Sequence, residues 1–260
     1  VSKTKIHIVI GDAHVAPNEN YSRFTALGNL VNAYRPDVLI NIGDWFDLPS
    51  LCHYDSGLAS FNSRSLYDDL NAGVVGHALL GATIRRAKKR LPRFVSLEGN
   101  HDYRLTKAIN RNPTQLKSTY GHHSFNWQRN GWEYYPYVGD TPAIVGIDGI
   151  SYTHFVPTNG TSRAMSGINL ASNIVNHTMR TTVVGHSHHF DISRKVAIDG
   201  TPIWGVVCGS FIERDSATFR YAGTGTKNWW SGIVVLKGVE NGTFEDFEAI
   251  SLDTLKKEYL

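Results

Sequence analysis

Cysteine is scarce in this chain. The 260 residues include two, Cys52 and Cys208, far apart and beside apolar neighbours. Two thiols so far apart argue against a disulfide framework or a cysteine-ligated zinc site, and both read as small, buried, reduced hydrophobes. Long apolar runs are missing as well, none approaching the roughly 20 residues that a membrane span needs. The apolar stretch in VSKTKIHIVIGD is too short for a signal peptide and turns polar at once. The expectation is a cytoplasmic protein with no membrane partner. There is no internal repeat, low-complexity segment, charged tail or Pro/Gly-rich linker, so residues 1–260 read as a single domain. No phosphate-binding Walker loop occurs, and no dinucleotide fingerprint follows the first strand. Charge is modest: +3 overall, which permits an anionic substrate without marking a nucleic-acid-binding surface.

What is present alternates in texture. Lys5–Ile10 (KIHIVI) reads as a strand, and residues 21–34 carry helical apolar spacing at Phe24, Leu27, Leu30 and Val31. Residues 37–42 read as a second strand, residues 64–90 as a long helix, and Arg93–Leu97 as a third strand. This β-α-β-α-β order argues for parallel strands joined by right-handed crossovers. After that, short segments rich in Tyr, Val and Ile recur at 132–137, 143–147, 150–154, 181–184, 193–198, 203–207 and 233–237. Asp148-Gly149 and Asp199-Gly200 are turn pairs of the hairpin type. One helix is expected at about residues 163–177. These later segments predict a second, more antiparallel sheet packed on the first, with the residues after His188 completing it.

Polar residues gather where the strands end. The exits read Gly11-Asp12-Ala13-His14, Gly43-Asp44-Trp45-Phe46-Asp47, Gly99-Asn100-His101-Asp102, Tyr152-Thr153-His154 and Gly185-His186-Ser187-His188. Singly, each has an ordinary explanation. Asp44 suits a helix cap or turn, Asn100 a left-handed turn, and His154 a hydrogen-bonded core position. The octapeptide VVGHSHHF at 183–190 is either a polar loop rich in histidine or part of a metal site. Together, five sets of oxygen and imidazole donors at strand exits argue for a metal site, because ligands bind beyond the carboxyl ends of parallel strands. The glycine before four of the sets lets the chain turn sharply or approach an ion closely.

The series D-x-H, G-D-x-x-D, G-N-H-D, a lone H and G-H-x-H, in this order over residues 12–188, resembles the calcineurin-like metallophosphoesterase superfamily. The resemblance implies an α/β fold of four layers, two packed mixed β-sheets flanked by helices. It implies a phosphoesterase with two divalent metal ions, hydrolysing its substrate by in-line attack of a metal-bridging hydroxide. One metal would take Asp12, His14, Asp44 and His188. The other would take Asn100, His154, His186 and the shared Asp44, with Asn100 also touching substrate. Imidazole and carboxylate donors without thiolate favour Mn2+, with Fe or Zn as alternatives. By the same resemblance His101 binds no metal and protonates the leaving oxygen, oriented by Asp47 or, alternatively, Asp102. Arg104 is a candidate contact for a substrate phosphate.

The substrate class is narrowed without being fixed. Serine/threonine protein phosphatases of the superfamily carry an arginine directly after G-D-x-x-D and a glutamate in G-N-H-E; Leu48 and Asp102 stand there instead. That leaves phosphodiesterases, nucleases and small-molecule phosphatases, with a phosphodiester, nucleotide or nucleic-acid-related substrate favoured. The aromatic stretches at 125–137 and 228–230 could stack bases or could be sheet and core. A phosphomonoesterase is the alternative, and a non-catalytic metal-binding scaffold a further one. His122, His123 and His189 fall outside the pattern and read as surface or loop histidines. The basic run IRRAKKRLPR at 84–93 reads as the solvated end of a helix rather than a nucleic-acid contact. Oligomeric state is not legible in the chain.

Overall fold

A computed structural model describes residues 4–53, 57, 59–158, 161–214, 216 and 223–260. Three strands, β1 (Lys5–Ile10), β2 (Val38–Asn41) and β3 (Arg93–Leu97), run parallel, joined through α1 (Ser22–Tyr34) and α2 (Leu66–Arg86). The chain continues through α3 (Arg104–Arg111) and the single turn α4 (Pro113–Leu116) to β4 (Glu133–Tyr135). It then forms β5 (Val145–Ile147), β6 (Ile150–Tyr152), α5 (Leu170–Thr178), β7 (Thr182–Val184), β8 (Phe190–Val196) and β9 (Pro202–Cys208). The last elements are β10 (Gly232–Val239), β11 (Asp246–Ser251) and a C-terminal helix, α6 (Leu252–Tyr259).

Two mixed sheets result, ordered β11-β10-β1-β2-β3-β4 and β5-β6-β7-β9-β8. Period-two alternation decides which residues enter which layer. In β1, Ile8 and Ile10 face the helices, where they meet Phe24, Leu27 and Leu30 of α1 and Leu80 and Ile84 of α2. Val9 between them faces the other way, with Ile40, Val95 and Leu97, onto Tyr152, Val183, Val206 and Cys208 of the second sheet. On that sheet's outer face, Val184 and Val207 meet Leu170, Ala171, Ile174 and Val175 of α5. Helices, sheet, sheet and helix stack as the four layers that the resemblance implies.

The second half departs from the expected arrangement in three ways. The 132–137 segment supplies β4, which pairs parallel with β3 in the first sheet. The 233–237 segment supplies β10, which returns to pair antiparallel with β1, and β11 and α6 follow it on the same side. The second sheet is mixed and, as expected, more antiparallel than the first: β6, β7 and β9 are parallel neighbours, with antiparallel partners at its two edges. The expected helix is shorter and later, beginning at Leu170. Both turn pairs do close hairpins, β5–β6 and β8–β9.

Several surface and aromatic readings resolve with the fold. Arg90 pairs with Asp37, Arg93 makes a two-pronged pair with Glu133, and Arg85 and Lys89 donate to the carbonyls of Asn130 and Asn32. Four of the six cations in the basic run are thus engaged within the molecule, and Arg86 and Lys88 are exposed. Phe125, Trp127 and Trp132 are buried core around Trp45 and Phe46, so they offer no face to a base. Cys52 and Cys208 are buried free thiols. Among the described residues, no helix is long and apolar enough to cross a membrane.

Candidate metal centre

The parallel strands β1, β2 and β3 of one sheet and β6 and β7 of the other all end on the same side, and their exits meet. Four of the seven candidate ligands stand in the left-handed region: His14 (φ 43°), Asp44 (φ 51°), His186 (φ 66°) and His188 (φ 60°). For residues without the local hydrogen bonding of Asn, this costs on the order of 1–3 kcal/mol each and persists only where surroundings enforce it. Here the backbone of one exit enforces the next. The Asp44 carbonyl accepts from the N–H of Ala13 (3.1 Å) and of His14 (2.9 Å), and Val15 N–H donates to the Trp45 carbonyl at 2.7 Å.

Each central carboxylate is fixed by a backbone amide from another exit. Asp44 Oδ1 accepts from His101 N–H at 2.7 Å, which leaves Oδ2 facing His154 Nε2 at 3.4 Å and His14 Nε2 at 3.7 Å. Asp12 Oδ1 accepts from His186 N–H at 3.0 Å, which leaves Oδ2 facing His188 Nε2 at 3.0 Å. These close approaches explain two of the glycines. A Cβ at Gly99 would lie 2.7 Å from the Asp44 carboxyl carbon, and one at Gly185 would lie 2.6 Å from Ile42 Cγ2 and nearer still to Asp12 Oδ1. Neither glycine has a positive φ. Both make room for a carboxylate rather than for an ion; only Gly43, at φ +113°, serves the turn itself.

Two of the four candidate imidazoles, His14 and His154, are set by their outer nitrogens. His14 Nδ1 lies 2.8 Å from Asp47 Oδ1, and a carboxylate oxygen only accepts, so the proton sits on Nδ1 and the Nε2 lone pair points inward. His154 Nδ1 likewise donates to the Ile42 carbonyl at 3.2 Å. This outer engagement is how proteins orient histidines that bind metals. Two donor groups converge as a consequence. In one, His14 Nε2 and His188 Nε2 stand 3.1 Å apart beside Asp12 Oδ2, which is buried without a hydrogen-bond partner among the described residues. In the other, Asn100 Oδ1 lies 2.8 Å from His186 Nδ1 and 3.0 Å from His154 Nε2, with Asp44 Oδ2 alongside. Asp44 Oδ2 lies between the two groups.

This donor set fits divalent cations. Oxygens and imidazole nitrogens converge in buried positions, and Asp12 Oδ2 has no hydrogen-bond partner among the described residues, a costly state for a buried polar atom. The local potential is negative. Burial lowers the His154 pKa, but Asp44 and Asp12 outweigh it and hold the imidazole up at about 9. A potential that draws a proton onto a fully buried imidazole draws a cation more strongly. Among the described residues, no cysteine joins either group.

A third cluster, His14, Asp47 and His101, is of another kind. Asp47 Oδ1 accepts from His14 Nδ1 and from His101 Nδ1 (2.9 Å), so protons already occupy the space between them. Burial raises the Asp47 pKa, and the hydrogen bonds from His101 and His14 overturn this and hold it below the carboxylate range. Asp47 is therefore the partner of His101 and also the orienting group of His14, a second contact that nothing in its spacing signals. Asp102 turns away: its two oxygens accept from Phe46 N–H and Gly99 N–H at 2.9 Å each, tying the second exit to the third. Arg104 spans the carbonyl of Asp47 (2.8 Å) and His101 Nε2 (3.0 Å), at the edge of a cavity of about 400 Å³. Leu48 is fully buried, and so presents nothing to a phosphate. His122 and His123 are exposed, and His189 is half-buried outside both donor groups.

No curated protein sequence matches this chain. Among the solved structures that align with this chain, one crystal structure covers 96% of it and 99% of its own length at 9% identity, with a TM-score of 0.45. The calcineurin-like phosphoesterase family matches residues 8–204, a span that holds every candidate from Asp12 to His188. With its two mixed sheets and its paired donor groups at the strand exits, the chain belongs to the calcineurin-like phosphoesterase family, whose members are metal-dependent phosphohydrolases.

Proposed function

We propose that the chain hydrolyses a phosphodiester, a nucleotide or nucleic-acid linkage being the favoured kind, at a centre of two divalent cations. The pair of donor groups sharing Asp44 Oδ2 carries the two-cation part of this reading. Leu48, fully buried where protein phosphatases of the superfamily carry an arginine, turns it away from a protein monoester. One cation takes Asp12, His14, Asp44 and His188, and the other Asn100, His154, His186 and Asp44. Mn2+ suits these donors best, with Fe or Zn as alternatives. When bound, the two cations supply Lewis acidity to the phosphoryl oxygens and to a water molecule.

The chain's own residues then have distinct tasks. His14 and His154 keep their Nδ1 protons on Asp47 and Ile42, so that Nε2 stays free to bind. His101 keeps Nδ1–H on Asp47, which leaves Nε2 as the atom that carries a proton to the leaving oxygen. In the free protein Arg104 Nη2 donates to that same Nε2. Substrate draws the guanidinium onto a phosphate oxygen, where its geometry pairs well, and Nε2 is then open to the proton. In the reaction the water oxygen bonds to phosphorus as the water releases one proton to solvent, and the ester P–O bond breaks. The departing oxygen takes the His101 proton, and His101 recovers a proton from solvent. General acid help of this kind contributes about 10²–10⁴-fold.

The test is Mn2+-dependent hydrolysis of a chromogenic phosphate diester beside its monoester, with Asp44→Asn as the control. Preference for the diester that Asp44→Asn abolishes supports the reading. Preference for the monoester makes the chain a phosphatase, and no turnover of either ester by the metal-loaded protein points to a binding scaffold or to a substrate that these small esters do not imitate.

A further inference from the structure

Two cavities border the centre, and among the described residues none lines both. One, of about 400 Å³, carries Asp47, His101 and Arg104. The other, of about 410 Å³, carries Asn100 and His186 with Tyr137, Phe155, Lys107 and Asp140. Asn100 and His101 are adjacent in the chain yet serve different cavities. A phosphomonoester has one organic group and a diester two. If the leaving group lies beside His101, the acid that protonates it, the group retained on phosphorus needs a separate space.

Tyr137 is the unusual feature of that second space. Its hydroxyl is buried with no hydrogen-bond partner among the described residues, a state that costs about 1–3 kcal/mol unless a ligand relieves it. The side chain is nonetheless held in place. The ring stacks on Tyr103 with centroids 4.4 Å apart and planes at 21°, and it meets Phe155 edge-on at 6.5 Å. Its backbone N–H donates to Glu98 Oε2 at 2.6 Å. Burial, with the negative charges of Asp44, Glu98 and Asp102, pushes the phenol well above its ordinary pKa, so the hydroxyl is a donor throughout the working pH range. The side chain lines the same cavity as Asn100 and His186, and a donor already held in place costs less to order when a ligand arrives.

We propose that Tyr137 selects diesters: its hydroxyl donates to the ester oxygen of the group retained on phosphorus, which lodges, at aryl or nucleoside size, in the cavity beside Asn100 and His186. This inference rests on the phosphoesterase reading of the centre. Lys107 at the rim, its ammonium 5.1 Å over the Tyr103 ring, faces the outer end of that group.

The experiment compares the parent with Tyr137→Phe, which keeps the ring and its stacking, on bis(4-nitrophenyl) phosphate and on 4-nitrophenyl phosphate with Mn2+. The expected result is a loss of about tenfold in kcat/KM on the diester, the size of one hydrogen bond, with the monoester changed less than twofold and the melting temperature not lowered. Calorimetric titration of the diester into His101→Ala and into His101→Ala/Tyr137→Phe, read before hydrolysis accumulates, should show a similar weakening of Kd. Equal losses on both esters, or no loss on either, overturn the assignment of Tyr137 while leaving the diester reading intact. A parent active on the monoester alone overturns the diester reading itself, and the inference with it.

Discussion

Replacing Gly99 with alanine adds one methyl group at the most crowded point of the centre. The new Cβ would lie 2.7 Å from the Asp44 carboxyl carbon, where ordinary contact begins at 3.4 Å, so Asp44 must move by 0.7 Å or more. The backbone N of Asp44 is nearer still, and the Asp44 carbonyl holds Ala13 and His14, so the whole second exit must shift. Overpacking of this kind costs about 1–3 kcal/mol of stability. The larger effect falls on metal binding, since ligands must be held within about 0.5 Å of their working geometry. Displacing Asp44, the carboxylate common to both groups, is expected to weaken Mn2+ binding by at least the roughly 10–100-fold seen when an outer partner is lost. Calorimetric titration with Mn2+ measures this, with thermal melts to follow folding. Gly146→Ala is the control, because a Cβ there meets nothing within 4 Å. A folded Gly99→Ala variant with the parent's stoichiometry and affinity would refute the claim that this glycine makes room for a metal-binding carboxylate.

Other consequences are open to equally direct measurement. His101→Ala should retain both cations while losing about 10²–10⁴ in kcat, whereas Asp47→Asn should lose activity and also about 10–100-fold in metal affinity, because Asp47 Oδ1 serves both His14 and His101; metal loss in His101→Ala would make that histidine a ligand. His77, buried away from the centre with Nε2–H on the Phe125 carbonyl, is pushed down to about 4 by burial. The unfolded chain therefore takes up a proton near pH 6.5 that the folded chain refuses, so stability falls as pH drops from about 6.5 to 4, by about 3 kcal/mol at the low end. Urea unfolding across that range should show a shallower fall for His77→Gln, and parallel curves for variant and parent would remove His77 as the cause.

How much of this was legible in the chain follows from how far each signal reaches. Lys5–Ile10 and Arg93–Leu97 are read to the residue, since a buried parallel strand is an apolar run cut off by polar residues at both ends. The ligand candidates were visible for the same reason: each follows such a run, and parallel strands deliver their exits to one edge. Membership of a sheet was not visible. The Ile233–Leu236 run is buried on both faces and reads the same in either sheet; its place beside β1 is set by pairing across most of the length of the chain. The hairpin signals at Asp148-Gly149 and Asp199-Gly200 are local, and they held, but they said nothing of the parallel β6–β7–β9 core between them. Within the site, the Ile42 carbonyl behind His154 has no side-chain signature, and Tyr137 sits among aromatics whose neighbours Phe125, Trp127 and Trp132 are core.

The central claim is that Asp44 joins two donor groups into one dinuclear centre. The most direct measurement is the number of Mn2+ ions bound per chain by the metal-stripped protein, in the parent and in Asp44→Asn, by equilibrium dialysis with elemental analysis. The account predicts two ions in the parent, and at most one, more weakly held, in the variant. One ion or none in the parent, or two ions held as tightly by Asp44→Asn, would contradict it.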